Sequence, residues 1–469
     1  MSIRGIFFAI FAFFRLRRAY GATGFAAIPF PPPSLTLLAS SVIERSSGKT
    51  NFCTMLNIEP YTIGIGDRFA RQGRAQLEAL VRAKETGINV FPVWNKSYRE
   101  HTLIKTKPAD VRAEADAAVK ALGWTGAYYV DADHISLKSV EGFILASNFF
   151  TIDVADFAGQ AATPEAEESF VKTARSFGKT LAIPGIDRPF QIDEASLRAA
   201  ARKFQLAMQE AGRIYRAIAA QKGEDNFVTE VSVDETLTAQ TPVELLLILA
   251  MIQIEGIPVQ TIAPKFTGRF NKGIDYRGDV AQLEKEFDAD LSVIAFAIRE
   301  FGLPPTLKLS VHSGSDKFAL YPVINRLIKS KNAALHLKTA GTTWLEELIG
   351  LAEAGGDGLE IAKEIYGQAF ARFDELSGPY APVIDIDKTE LPDPEAVAAW
   401  DSKTYTETLR HVQSCQSYNP NVRQLLHIAF KVAAEMGERF LQALDANEQV
   451  IARNVTENLL ERHIKPIFG

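Results

Sequence analysis

The sequence predicts an α/β protein built on an eight-stranded (β/α)₈ barrel of the TIM type. From residue 61 onward, a short β-rich run that ends in polar residues occurs eight times, and a longer helical segment separates most of the runs. Strands that alternate with helices pair in parallel, and eight such units favour a closed barrel over the alternative, an open doubly wound sheet. The runs are YTIGIGDRF (61–69), INVFPVWNKS (88–97), AYYVDADHI (127–135), FFTIDVADF (149–157), NFVTEVSVDE (226–235), PVQTIAPKF (258–266), LKLSVHSGSD (307–316) and AALHLKTAG (333–341).

The helical segments indicate how the barrel is extended. Thr241 and Glu244 flank a proline at the first helical position and predict a capping box, and Thr343 with Glu346 predicts a second one. A long helical pattern over 192–222 predicts an insertion after the fourth strand, and the chain from residue 355 is mostly helical. We therefore expect a barrel catalytic domain over 55–354 and a helical C-terminal extension over 355–469 that packs on it.

The first 54 residues differ in composition from the rest and are expected to form a non-globular N-terminal extension. The apolar run GIFFAIFAFF (5–14) is too short to span a bilayer as a helix, and the arginines at 15, 17 and 18 follow it, whereas the positive charge of a signal peptide precedes the apolar run. A proline cluster comes next. A membrane or export role for this segment is the alternative.

Composition excludes several classes of protein. The net charge of −6 over 469 residues argues against a protein that coats nucleic acid or anionic lipid. The two cysteines, Cys53 and Cys415, exclude a disulfide framework and indicate a reducing, cytoplasmic location. No phosphate-binding glycine motif follows a strand. The expected partner is a small molecule, with neither nucleic acid nor membrane, and the oligomeric state stays open, a homo-oligomer included.

Reactive side chains are concentrated where the predicted strands end, which is where a (β/α)₈ barrel has its active site. Three of the seven histidines occupy such positions on separate strands, beside carboxylates. A single strand histidine is more often a core residue, but three together favour a metal. Imidazole and carboxylate ligands suit zinc, manganese, cobalt or nickel. The expected ligands of this divalent metal ion are His134, Glu230, His312 and His336.

Strand alternation places some of these side chains on a common face, because residues two apart in a strand point the same way. The sets that share a face are Glu230, Ser232 and Asp234, and Lys308, Ser310 and His312. Asp133 and His134 point to opposite faces if their strand is regular. One of these two residues is then expected to serve another role.

Basic residues are grouped on the same rim of this acidic protein, namely Lys265, Arg269, Lys272, Lys317 and Lys338. Arginine can bind a carboxylate through two hydrogen bonds and lysine binds it as a point charge. The group predicts a clamp for a carboxylate, and solvated loop charges are the alternative. The expected substrate-binding residues are Lys265, Arg269, Ser313, Ser315 and Lys317.

Several of these segments resemble the tagaturonate epimerase family. The matching text is VDADHI (130–135), FFTIDVADF (149–157), VSVDET (231–236), APKFTGRFNKGIDYRGD (263–279), SVHSGSDKFALYP (310–322), HLKTAGTTWLEEL (336–348) and, more weakly, RQLLHIAF (423–430). The resemblance runs from Met55 to the C-terminus. Lys265 stands where the family pattern has arginine, and Lys431 stands where it has glycine.

The resemblance implies that the enzyme interconverts D-tagaturonate and D-fructuronate in hexuronate catabolism with a divalent metal. These sugars differ at C4, counted from the CH₂OH end, so that the C2 ketone does not acidify the C4 proton. Retro-aldol cleavage and reclosure of C3–C4 would invert that carbon, with Asp133 or Asp153 as the catalytic base.

Two other functions stay open. One is a barrel aldolase or isomerase of another ketose or sugar acid, in which Lys338, counted here among the catalytic residues, or Lys308 forms a Schiff base. The other is a sugar-acid binding protein for uptake, which only the apolar N-terminus suggests.

Overall fold

The computed structural model describes residues 56–339 and 341–469, so that the expected extension over 1–54 lies outside the described residues. Eight parallel strands close into a barrel, which confirms the predicted fold class and excludes an open sheet. The barrel strands are β1 (Tyr61–Ile65), β2 (Phe91–Ser97), β3 (Tyr129–Ile135), β4 (Phe149–Asp153), β7 (Val228–Ser232), β8 (Thr261–Ala263), β9 (Lys308–His312) and β10 (Leu335–Lys338). Around the barrel they follow the order β1-β10-β9-β8-β7-β4-β3-β2.

The predicted insertion lies between β4 and β7, which are neighbours in the barrel. It contains a short antiparallel pair, β5 (Thr180–Leu181) and β6 (Phe190–Gln191). Two helices accompany this pair, α4 (Pro164–Ala174) and α5 (Glu194–Lys222). The long helix α5 starts at a side-chain cap, because Asp193 accepts a hydrogen bond from the Ser196 amide at 2.8 Å.

The other helices of the barrel region are α1 (Gly73–Glu85), α2 (Tyr98–Ile104), α3 (Pro108–Leu122), α6 (Pro242–Ile254), α7 (Val280–Phe301), α8 (Tyr321–Ser330) and α9 (Thr342–Ala354). The capping box of α6 forms as predicted between Thr241 and Glu244. The second predicted box is wrong, since α9 begins at Thr342 without a side-chain cap. Both residues of this predicted box form tertiary hydrogen bonds instead: Thr343 accepts one from Gln76, and Glu346 accepts one from Asn458.

The region after the barrel is helical, as expected. Its helices are α10 (Gly356–Ala371), α11 (Phe373–Ser377), α12 (Pro394–Ala398), α13 (Ser402–Leu409), α14 (Pro420–Ile428), α15 (Phe430–Glu435), α16 (Glu438–Ala446), α17 (Glu448–Glu457), a π-helical turn (Asn458–Ile464) and α18 (Lys465–Phe468). One apolar core runs through the barrel helices and this region. In the described part of the chain, no helix has both the length and the apolarity that crossing a membrane requires.

A buried ion pair fixes this helical region to the barrel. Asp316, in the loop after β9, accepts a hydrogen bond from the Arg423 guanidinium at 2.7 Å and one from His411 at 3.1 Å. Burial alone would raise the pKa of Asp316, but Arg423 and the histidines hold it well below its ordinary value. The loop that follows His312 is therefore held by residues from more than 90 positions further along the chain.

The interior of the barrel is apolar at one end and polar at the other. Val93, Tyr129, Phe149 and Val228 form a cluster with Ile58 at the N-terminal ends of the strands. Two residues further along these strands, the inward positions carry polar or charged side chains, because alternate residues share a face. The reactive residues therefore face one another toward the C-terminal end of the barrel.

Candidate active site

Lys338 lies at the centre of the polar end of the barrel. Its ammonium contacts oxygens of four residues from three neighbouring strands: Asp131 at 2.9 Å, Asp133 at 3.0 Å, Thr151 at 2.6 Å and Glu230 at 3.1 Å. Burial alone would lower the pKa of Lys338, but the three carboxylates outweigh it and hold this pKa well above its ordinary value. The ammonium therefore stays charged and holds the carboxylates at fixed positions.

A backbone irregularity directs both Asp133 and His134 into the site. The register between β3 and β4 shifts between Ala132 and Ile135, and His134 has φ = 52°, in the left-handed region that non-glycine residues rarely adopt. Such a conformation costs on the order of 1–3 kcal/mol and is found mainly at functional sites. The two residues are expected to point to opposite faces only in a regular strand, and this bulge breaks the alternation.

Three side chains from three strands or strand ends converge beside Lys338. Nδ1 of His312 lies 3.1 Å from Asp234, Nε2 of His134 lies 3.6 Å from the same carboxylate, and the two imidazole centroids are 5.2 Å apart. Both nitrogens are buried, and in the described part of the chain neither makes a hydrogen bond of regular geometry beyond its ion-pair contact with Asp234. The potential ligand atoms of His134, Asp234 and His312 all lie within 4.8 Å of one another, so that one cation could contact all three residues.

Glu230, an expected ligand, instead supports one of these histidines. Its Oε1 accepts a hydrogen bond from Nε2 of His312 at 2.8 Å, and its side chain is fully buried. A carboxylate that binds the second nitrogen of a ligand histidine orients the ring and makes it a better ligand. Asp234, and not Glu230, lies beside both histidines, because it lies beyond β7, four residues closer to the open end of the barrel.

His336, the fourth expected ligand, is not part of the cluster. Its Nδ1 lies 2.9 Å from Oγ1 of Thr62, and its ring packs on Phe149 with centroids 5.3 Å apart. Burial and nearby cations lower the pKa of His336 to about 3, so that the ring is neutral. It points into the barrel interior two residues before Lys338, which is closer to the apolar end.

The two candidate catalytic carboxylates have different surroundings. Asp133 accepts hydrogen bonds from His134 at 2.7 Å and from Lys338 at 3.0 Å; although burial opposes them, these cations hold its pKa below its ordinary value. Asp153, at the end of β4, accepts one hydrogen bond, from the Ala155 amide at 3.0 Å, and burial raises its pKa. Asp153 is thus the better proton acceptor.

The structure does not assemble the predicted substrate-binding residues into one clamp. The Lys265 ammonium binds the carbonyl of Thr236. The Arg269 guanidinium, about half exposed, donates to the Ile384 carbonyl at 3.0 Å and lies 3.7 Å from Asp385. Both residues therefore contact other loops of the chain.

The serines and Lys317 are buried inside the loop after β9. The Lys317 ammonium donates to the Asn271 carbonyl and to Oγ of Ser315, both at 3.1 Å, and the Ser313 hydroxyl donates to the Lys338 carbonyl at 3.0 Å. Burial lowers the pKa of Lys317 to about 7. These three residues stabilise the loop, and their polar atoms are already engaged.

Comparison with known proteins finds a family whose sequences match this chain and solved structures that share its fold. The profile of the tagaturonate epimerase family matches residues 49–467. A tagaturonate/fructuronate epimerase from Thermotoga maritima is 29% identical over 426 residues, which covers 87% of this chain and 81% of that protein.

Two solved structures of a fructuronate-tagaturonate epimerase from Cohnella laeviribosi share the fold at 24% identity. The form with one glycerol has a TM-score of 0.73 and covers 88% of this chain and 82% of the other. The native form has a TM-score of 0.72, with 89% and 83% covered.

Proposed function

The chain belongs to the tagaturonate epimerase family of carbohydrate isomerases, and we propose that it interconverts D-tagaturonate and D-fructuronate with a divalent metal ion held by His134, Asp234 and His312. One observation supports the metal above all others. Two buried imidazole nitrogens face a single carboxylate at 3.1 and 3.6 Å, and neither makes a hydrogen bond of regular geometry in the described part of the chain. Because buried polar atoms are nearly always paired, this geometry suits a cation bound between the two imidazoles and the carboxylate.

The donor set fits the metal chemistry that the family implies. Two imidazoles and one carboxylate leave coordination positions open for a substrate and suit zinc, manganese, cobalt or nickel. A cation bound there would act as a Lewis acid on the ketone oxygen of the substrate and stabilise developing negative charge. Glu230 would hold His312 in the tautomer with hydrogen on Nε2, which leaves Nδ1 free to coordinate.

The carbon skeleton of the proposed substrate requires more than enolisation. The ketone is at C2 and the inverted centre is at C4, so that the C4 hydrogen is not acidic. Retro-aldol chemistry solves this problem: the O4 hydroxyl loses its proton, C3–C4 breaks, and a C4 aldehyde and a C2–C3 enediolate form. After the aldehyde turns over, C3–C4 forms again on its opposite face and O4 regains a proton.

Asp153 is the residue that we assign to the O4 proton. Its raised pKa suits a group that both accepts and returns a proton. Asp133, which is bound to Lys338 and His134, keeps its charge and positions those two residues.

The Schiff-base alternative finds little support in the two candidate lysines. A charged amine is not a nucleophile, and the carboxylates around Lys338 keep it charged. Burial does lower the pKa of Lys308 to about 7, but its ammonium binds the carbonyls of Glu59 and Pro60 at the N-terminal end of the barrel. That end is opposite to the His134–Asp234–His312 cluster.

The test is an epimerase assay of the purified protein on D-fructuronate before and after chelation. We expect conversion to D-tagaturonate that stops on chelation and returns with one of the four metals. Conversion by a preparation shown to be free of metal would contradict the metal site, and no conversion with any metal would contradict the assigned reaction. A cytoplasmic location belongs to the same proposal, since it suits a catabolic enzyme with two cysteines.

A further inference from the structure

Lys272, a lysine near the site, has an ammonium group that forms no hydrogen bond or ion pair within the described residues. Lys272 follows β8, and its amide donates to the Val383 carbonyl at 2.8 Å. Over residues 56–339 and 341–469, its ammonium has neither a hydrogen bond nor an ion pair, and the side chain is partly buried. Burial lowers its pKa below the ordinary value. Glu235 and Glu100 are near enough to raise this pKa, but neither forms an ion pair with Lys272 in the described chain. A cation partly removed from water without such a pair is unfavourable, and a bound anion would relieve this cost.

The neighbourhood of Lys272 is positive. Arg68 and Arg99 are near enough to lower its pKa. Nη2 of Arg68 pairs with Glu100 at 3.1 Å, while Nε and Nη1 of this buried guanidinium have no partner in the described chain. The guanidinium carbon of Arg99 lies 5.1 Å from the centre of the Tyr380 ring. Glu235 and Glu100 are near enough to raise the pKa of Lys272, so that two carboxylates stand against three cations and one positive charge remains.

His427 forms another wall of this region without adding charge. It is 2% exposed, and its Nε2 has no partner in the described chain. Burial, together with Arg68 and Lys272, holds its pKa well below the ordinary value, so that the imidazole is neutral. A neutral imidazole can donate a hydrogen bond to a bound anion.

Two glycines let the loops after β9 and β10 approach this region. A Cβ on Gly314 would lie 3.3 Å from the Lys272 ammonium, and Gly314 has φ = 67°. A Cβ on Gly341 would collide with the Gly314 carbonyl and with Nε2 of His427. The loops after the last two strands of a (β/α)₈ barrel are a common place for anionic groups of a substrate.

We propose that Lys272 binds the carboxylate of the sugar acid between the Gly314 turn and His427, with Arg68 and Arg99 supplying further positive charge. This assignment rests on the proposed function and specifies how the enzyme selects an acid. Gly314 follows His312 by two residues, so that a carboxylate at Lys272 places the rest of the sugar toward the metal-ligand cluster. The other predicted clamp residues, Lys265, Arg269 and Lys317, already bind protein oxygens.

The test compares Lys272→Met with Lys285→Met, a matched change at an exposed position of α7. Binding of D-fructuronate and of D-fructose, which has CH₂OH in place of the carboxylate, is measured by calorimetry on metal-loaded protein. We expect Lys272→Met to weaken D-fructuronate binding about 10- to 100-fold, as for loss of a charged hydrogen bond. D-fructose binding, metal content and the midpoint of thermal unfolding should not fall, and Lys272→Arg should restore part of the loss.

Two results would overturn the assignment. One is unchanged D-fructuronate binding by Lys272→Met, and the other is an equal loss for the acid and for D-fructose. Failure of the proposed function looks different. A wild-type protein that binds D-fructuronate through Lys272 without converting it would contradict the reaction and leave this assignment intact.

Discussion

Nε2 of His312 donates a hydrogen bond to Oε1 of Glu230 at 2.8 Å. Nδ1 of the same ring lies 3.1 Å from Asp234, so that the two carboxylates contact different nitrogens of one imidazole. The first contact orients the ring, and the second marks where a cation would bind. This division of roles between Glu230 and Asp234 gives distinct expectations for variants of each.

The ligand set is tested by metal content. We expect His312→Ala and Asp234→Asn to lose bound metal and activity together, because each removes one of three ligands. His336→Gln should keep the metal, since that ring lies below the cluster against Thr62 and Phe149. Elemental analysis of the purified variants measures their metal content. Loss of metal in His336→Gln would show that His336 is a ligand after all.

Glu230→Gln tests the supporting contact. The amide cannot provide the charge that strengthens His312 as a ligand, so that metal affinity should fall about 10- to 100-fold. Activity should return largely at saturating metal. The measurement is a metal titration of activity, with Glu141→Gln, at an exposed position between β3 and β4, as the control. An unchanged titration midpoint would show that Glu230 does not tune the site.

Asp153→Asn tests the proton acceptor. We expect kcat to fall by about 10²–10⁴ while metal content stays normal, because general acid–base groups contribute on that order. Asp156→Asn, an exposed carboxylate three residues away, should behave as the wild type. Near-normal kcat in Asp153→Asn would move the role to another group.

The retro-aldol route predicts the fate of hydrogen at C4. Substrate deuterated at C4 should give the epimer with deuterium fully retained, because the C4–H bond never breaks. Two substrates labelled in different halves should also exchange halves at a low level, since the fragments separate briefly. NMR and mass spectrometry read both results, and washout of the deuterium into solvent would exclude this mechanism.

The buried carboxyl group of Glu346 makes the free energy of unfolding depend on pH. Burial raises its pKa to about 7, whereas an unfolded glutamate titrates near 4.3. Between these values the folded protein keeps a proton that the unfolded chain releases, so that stability falls as pH rises through this window. Glu346→Gln removes the titration and can still accept the hydrogen bond from Asn458, which is 2.9 Å long.

We therefore expect the stability of Glu346→Gln, relative to the wild type, to increase from pH 4.5 to pH 8 by up to about 3 kcal/mol, at 1.36 kcal/mol per pKa unit. Urea unfolding at both pH values measures it. Glu360→Gln, on the exposed face of α10, serves as the control and should show no such trend.

The sequence by itself determined the barrel, the insertion and the strand ends that carry the reactive side chains. Eight β-rich runs and their helices are local patterns, since side-chain periodicity depends on residues close together in the chain. The same alternation placed Glu230 and Asp234 on one face. It also placed His312 on one face with Lys308 and Ser310, and the structure brings His312 opposite Asp234.

Only the tertiary structure decided depth and direction within the barrel. How far Glu230, Asp234 and His336 lie along the barrel depends on the register between neighbouring strands, and a period of two carries no information about register. The bulge that turns His134 inward is likewise set by the pairing of β3 with β4. Whether Lys272 or Lys317 has a free ammonium depends on loops from distant parts of the chain, because carbonyls and carboxylates that neutralise a cation come from wherever packing brings them.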